Sequence, residues 1–166
     1  MTQRIRTPVA ADERASLEAF LDFQRATVLL KVAGLPEELA RRRLVASRTT
    51  VAGIVQHLAG AERYWFRARL LGDGWSYPGW DVDEDADFEV AATTTLAEVV
   101  ADYELACAEA RAVAADLPLE ALAAVRGEGG DYVSLRWILL HMIEETARHT
   151  GQLDVLRELL DGATGM

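Results

Sequence analysis

The chain has 166 residues, 51% of them hydrophobic, which is enough to bury one substantial core in a chain of single-domain length. Its 17 basic and 27 acidic residues leave a net charge of -10, a field that repels nucleic-acid phosphates and anionic headgroups and so argues against nucleic acid or a membrane as partner. No run approaches the roughly 20 apolar residues of a membrane span, and MTQRIRTPVAADER carries no apolar signal segment. A cytoplasmic protein is expected. The single cysteine, Cys107, excludes an intrachain disulfide and a Cys-based zinc knuckle, so any bound metal must be held by His and carboxylate.

Pro and Gly are sparse, and the intervals between them repeat apolar residues every three or four positions, the mark of amphipathic helices. The first predicted helix starts near Asp12, carries Leu17, Phe20, Leu21, Gln24, Val28 and Leu29, and stops at Gly34. LPEELARRRL (35–44) reads as a short helical turn or linker. The second helix opens at Thr49 or Thr50, both good N-cap residues, and runs through Ile54, Leu58, Ala61 and Trp65 to Leu71, ending at Gly72. Glu62 and Arg63, followed by Tyr64-Trp65-Phe66, read as bundle packing and surface pairs.

Residues 72–95, GDGWSYPGWDVDEDADFEVAATTT, form a connection that is long for a bundle. Asp81, Asp83 and Asp85 have a calcium-loop spacing, but Ala86 and Ala92 stand where that motif needs Gly and a bidentate Glu, which rejects an EF-hand. The acidic run from Asp81 to Glu89 reads as a solvated loop whose Trp75, Tyr77, Trp80 and Phe88 are candidates for a lid over a pocket mouth. The third helix spans about Leu96 to Asp116, with Cys107 on its apolar stripe as a small core residue. After GEGGDY (127–132) the fourth starts at Ser134 and continues to about Leu160, before Asp161-Gly162. No β-branched run alternates at period two. The fold class is therefore all-α, a four-helix bundle with a long loop between helices two and three, in one domain over 1–166 with its core at about 12–162.

The chemistry concentrates on the fourth helix, whose inward stripe reads Leu135, Ile138, Met142, Glu145, His149, Gln152, Leu156. Three polar groups point where leucines belong, and a buried carboxylate beside an imidazole costs several kcal/mol unless paired or bound to a cation. Glu145 and His149 stand at i, i+4, one turn apart, the spacing that closes two side chains on one ion. The second helix offers His57. Two histidines and a carboxylate with an open position match catalytic zinc and also non-haem iron. Each histidine alone fits a hydrogen-bonded core residue better than a ligand; it is the combination at ligand spacing that points to a metal. His141 completes H-x3-E-x3-H, but it lies about 12 Å from His149 along the axis at 1.5 Å per residue, so both cannot bind one ion. His141 reads as a second-shell residue or an alternative ligand.

HLAGAERYWF in the second helix and LRWILLHMIEETARHTGQLDVLRELLDG in the fourth resemble the DinB/YfiT-like metal-dependent superfamily. The closer similarity is to its DUF664 or mini-circle-protein branch, which includes the mycothiol-dependent S-transferases, and it runs from about Asp12 to Gly162. The resemblance implies a four-helix bundle, commonly a homodimer, with a divalent metal held by three residues of the second and fourth helices. Position by position, the second-helix ligand falls on His57 and the last ligand of the H-x3-H-R-G-Q type motif on His149. The first His of that motif is Glu145 here and its Arg is Thr150, while Gly151 and Gln152 match. The Glu form resembles the mycothiol-type branch.

The resemblance implies a metal-dependent S-transferase that adds a low-molecular-weight thiol, mycothiol in the first instance, to a small electrophile, or a thiol-dependent isomerase of the maleylpyruvate type. Zinc is the first choice of metal, with nickel or iron as alternatives, and no catalytic residue beyond the metal site is assigned. The alternative is a non-catalytic metal- or ligand-binding bundle, or a stress-associated structural protein. An open metal position facing a pocket distinguishes the transferase, since a structural site would be closed by a fourth protein ligand, with His141 or Gln152 the nearest candidates. DNA binding, raised by the superfamily's name, is opposed by the net charge of -10.

Overall fold

The computed structural model describes residues 4–127 and 129–165; Glu128, within the GEGGDY segment, lies outside them. The elements are α1 (Glu13–Val32), α2 (Glu37–Ala40), α3 (Val51–Arg63) with a π-helical continuation (Tyr64–Leu71), a 3-10 turn (Ala86–Phe88), α4 (Leu96–Ala114) and α5 (Leu135–Asp161). The four long helices occur where the periodicity places them. Among the described residues there is no strand, only an isolated bridge between Leu122 and Ser134, and no helix is long and apolar enough to cross a membrane.

Side chains fix the helix starts by accepting orphan N–H bonds of the first turn. Asp12 accepts from Ala15 at 2.8 Å, Thr50 from Gly53 at 3.0 Å and Ser134 from Trp137 at 3.2 Å. Thr95 and Glu98 form a reciprocal capping box at the start of α4. Gly72 and Gly162 end their helices at φ of 70° and 74°, the left-handed region that a Cβ disfavours.

α1 packs along α5, and α3 along α4, with α3 also meeting α5. Two apolar clusters fill the interior. One gathers Val28, Ile54, Leu58, Tyr103, Cys107 and Leu153, and the other Leu21, Phe66, Ala110, Leu135, Ile138 and Met142. Between them along α1 and α3 stand Arg25 and Glu62. Glu62 is thus no surface residue: it is fully buried and holds Arg25 in a two-pronged pair at 2.7 and 2.6 Å. Only Arg63 makes the expected surface pair, with Asp102 at 2.7 Å. Cys107 is a core residue, and burial, with Glu62 beside it, pushes its thiol up to about 12.

The stripe of α5 differs from the expected one in a way that matters. The buried residues are Leu135, Ile138, Leu139, Met142, Thr146, His149, Thr150, Leu153 and Leu156. Thr146 and Leu153, not Glu145 and Gln152, continue the apolar line, and the Thr146 hydroxyl is spent on the Met142 carbonyl at 2.7 Å. Glu145 and Gln152 lie on the shoulder of the helix, where a carboxylate keeps partial hydration.

Candidate metal centre

α3 offers an unusual face to the loop that follows it. A Cβ at Gly53 would overlap the carbonyl oxygen of Phe88, and one at Gly60 would reach Asp87 Oδ2 at 3.5 Å, Tyr77 at 3.6 Å and Trp80 at 3.7 Å. Gly53 lets the backbone at Phe88 lie directly against the helix, while Gly60, two helical turns on, faces loop side chains at ordinary contact distance. His57 stands between them. Gln56 donates to the carbonyls of Asp87 at 2.7 Å and Glu89 at 3.2 Å, which ties the 3-10 turn down.

The acidic loop is therefore only partly solvated. Asp87 is buried, and its Oδ2 lies 2.8 Å from His57 Nδ1. Phe88 stacks on the His57 ring at 4.3 Å between centroids. Trp75, Tyr77 and Trp80 pack on one another, with Trp80 also against Tyr64, and of the four loop aromatics only Phe88 lines the pocket described below. Asp83 and Glu89 pair with Arg48.

On the other side of His57, Nε2 stands 3.1 Å from Glu145 Oε1. His149 Nε2 reaches the same oxygen at 3.0 Å, and its Nδ1 meets Gln152 Oε1 at 2.8 Å. Asp87 and Gln152 present acceptor oxygens to the two Nδ1 atoms. With each N–H placed there, the two Nε2 lone pairs and the Glu145 oxygen face one point, a donor set compatible with a divalent cation. The ligand atoms of His57, Glu145 and His149 all lie within 4.8 Å of one another, close enough for one ion.

Without a metal, a proton serves instead. Burial alone would lower the His57 pKa, but hydrogen bonds to Asp87 and Glu145 outweigh it and raise it to about 9. The bonds from His149 and then His57 hold the Glu145 carboxyl well below the usual carboxylate range.

His141 is not with this group. Its ring stacks on Trp137 at 5.0 Å and meets Trp65 edge-on at 4.7 Å. Gln152 faces the outer nitrogen of His149, so neither of the two candidates for closing a fourth position reaches the inward-facing atoms. A cavity of about 340 Å³ opens beside His57, Glu145 and His149, bordered by Ser47, Arg48, Thr49, Asp85, Phe88, Arg148 and Gln152.

Sequence reasoning missed Asp87. Nothing in the acidic run distinguishes it from its neighbours; the available signal was indirect, two glycines inside a helix flanking the candidate ligand.

The family model of the mycothiol S-transferases matches residues 16–162, and the chain belongs to that family, within the DinB/YfiT-like superfamily. No curated protein matches the chain.

Proposed function

We propose that this family member is a divalent-metal-dependent thiol S-transferase, joining mycothiol to a small electrophile in the cavity beside His57, Glu145 and His149. The observation that carries the reading is the convergence of three acceptor atoms on one point at the edge of an open cavity. A site meant only to brace the fold would be enclosed by protein ligands, whereas this donor set leaves room for an exogenous one.

His57, Glu145 and His149 would hold the ion, and zinc suits two imidazoles and a carboxylate. A divalent ion held there supplies the Lewis acidity that lowers the pKa of a thiol and keeps it as the thiolate nucleophile. Asp87 and Gln152 fix the tautomers of the two histidines and raise their basicity as ligands. Phe88 covers one face of the His57 ring and keeps water from it. The cavity wall formed by Ser47, Arg48 and Thr49 receives the rest of the thiol, and hydroxyl groups there suit a polyol. The thiol S–H bond breaks and its proton passes to solvent; the sulfur bonds to the electrophilic carbon of the second substrate as that carbon's bond to its leaving group breaks, and the leaving group departs to solvent with the electron pair.

The test is conjugation of mycothiol to a chromogenic electrophile by protein whose metal content is measured. Activity should track metal occupancy and vanish in His149→Ala. Full turnover by verified metal-free protein would overturn the reading.

A further inference from the structure

Two arginines border the cavity, and they are not equivalent. The Arg48 guanidinium is taken up by Asp83 and, at 3.5 Å, by Glu89, both from the loop. Arg148 is exposed and makes no hydrogen bond or ion pair with any described residue. Its i-4 neighbour Glu144 would be a ready partner on the helix surface, yet no such pair forms. Arg148 stands three residues after Glu145 and four before Gln152, which puts it on the shoulder of α5 that carries both. An unspent guanidinium thus borders the same space as the candidate ligands.

From this placement we infer that Arg148 is the anion-recognising residue of the cavity and that the electrophile conjugated there carries a carboxylate. The inference rests on the transferase reading for the word electrophile, but not for the anion site. A guanidinium fork meets a carboxylate through two parallel charge-assisted bonds, which gives orientation as well as attraction. The other side chains of the cavity are compatible with this. Glu145 is already engaged by both imidazoles, Asp85 is exposed on the loop side and forms no ion pair with Arg148, and Ser47 and Thr49 share a neutral hydroxyl contact at 2.9 Å. A net charge of -10 repels anions in bulk, so the selection must act locally, within a Debye length of about 8 Å at physiological salt.

The experiment pairs two electrophiles that differ in one charge, 4-chloro-3,5-dinitrobenzamide and 4-chloro-3,5-dinitrobenzoate, with mycothiol and metal-loaded protein. In each the thiol sulfur bonds to the ring carbon, the carbon–chlorine bond breaks, chloride leaves and the thiol proton goes to buffer. After correction for the uncatalysed rates, kcat/KM should favour the benzoate by about tenfold, the scale of one charge-assisted contact. That preference should disappear in Arg148→Ala, persist in part in Arg148→Lys and reverse in Arg148→Glu, with the change carried by KM and the metal content retained. Unreactive 3,5-dinitrobenzoate supplies a readout independent of turnover, through the backbone-amide NMR signal of the cavity residues Ser47 and Thr49, which wild type and Arg148→Ala both carry. If neither electrophile is conjugated while the benzoate still shifts that signal and fails to bind Arg148→Ala, the anion site stands and the transferase reading falls. Equal preference or equal benzoate binding in wild type and Arg148→Ala overturns the inference, as does a wild type that does not favour the benzoate.

Discussion

His57 Nδ1 lies 2.8 Å from Asp87 Oδ2, so a side chain from the loop aims the ring of a helix residue. The contact joins two things that are separate in sequence, the docking of residues 86–88 on α3 and the direction in which the His57 lone pair points. Whatever strengthens one strengthens the other, because both depend on the same hydrogen bond.

Asp87→Asn should therefore weaken metal binding without removing it. The amide keeps the shape but no longer supports His57 with a carboxylate, and losses of this kind amount to about 10–100-fold in affinity. Competition against a chromogenic chelator measures it; affinity equal to wild type would separate Asp87 from the site.

Gly53→Ala and Gly60→Ala form a matched pair. A Cβ at Gly53 meets the carbonyl of Phe88, while at Gly60 it meets neighbours only at 3.5 Å and beyond. Gly53→Ala should lift the Ala86–Phe88 turn, speed proteolysis of the loop and lower metal affinity, although Gly53 touches no ion. Gly60→Ala should leave affinity near wild type and gain up to about 1 kcal/mol of helix propensity. Limited proteolysis and thermal melts distinguish the two.

Metal removal should lower the melting temperature. An ion that binds only the folded site adds about 2.7 kcal/mol at 100 times Kd, which for a chain of this size is a shift of about 5–10 °C. Zinc should restore it in wild type but not in His57→Ala or His149→Ala. His141→Ala should keep the shift, since His141 packs between Trp65 and Trp137. Calorimetry of chelated and reloaded samples gives all four answers.

The pH dependence of stability should differ between the two forms. In metal-free protein the His57 pKa rises from 6.5 to about 9, so its contribution is complete below pH 6.5 and is lost as pH climbs toward 9. Glu145, held below its ordinary 4.5, contributes above that pH and loses its contribution as pH falls through the folded value. Metal-free protein should thus melt highest between about pH 4.5 and 6.5 and decline toward pH 9. Metal-saturated protein should not show that alkaline decline, because the ion replaces the proton. Fluorimetric melts across pH, with and without zinc, check the crossover.

Arg25→Met should be among the more damaging core substitutions, costing about 3–5 kcal/mol, since it leaves Glu62 buried and unpaired. Replacing both residues, Arg25→Met with Glu62→Leu, should recover most of that loss. Denaturant unfolding of the single and double variants measures the coupling.

The sequence by itself determined the helices and the ligand candidates. Spacing of three and four along Leu17 to Leu29, Ile54 to Trp65 and Leu96 to Leu117 follows from the 3.6-residue turn, and Thr50 and Ser134 mark starts because their hydroxyls satisfy local N–H groups. His57, Glu145 and His149 were legible because a polar residue on an apolar stripe is anomalous wherever the stripe ends up. Tertiary structure alone decided the rest. Glu145 sits on the shoulder of α5 instead of in its core, since periodicity fixes a face only to within a residue and packing in the bundle, chiefly along α1, left Thr146 and Leu153 as the buried pair. Asp87, identical in type to the other acidic residues of its loop, was selected by the approach of the Phe88 backbone to α3 at Gly53. Glu62 became a buried charge only because Arg25, 37 positions away, arrived opposite it. Contacts between distant segments depend on how whole helices pack, and no local pattern encodes that.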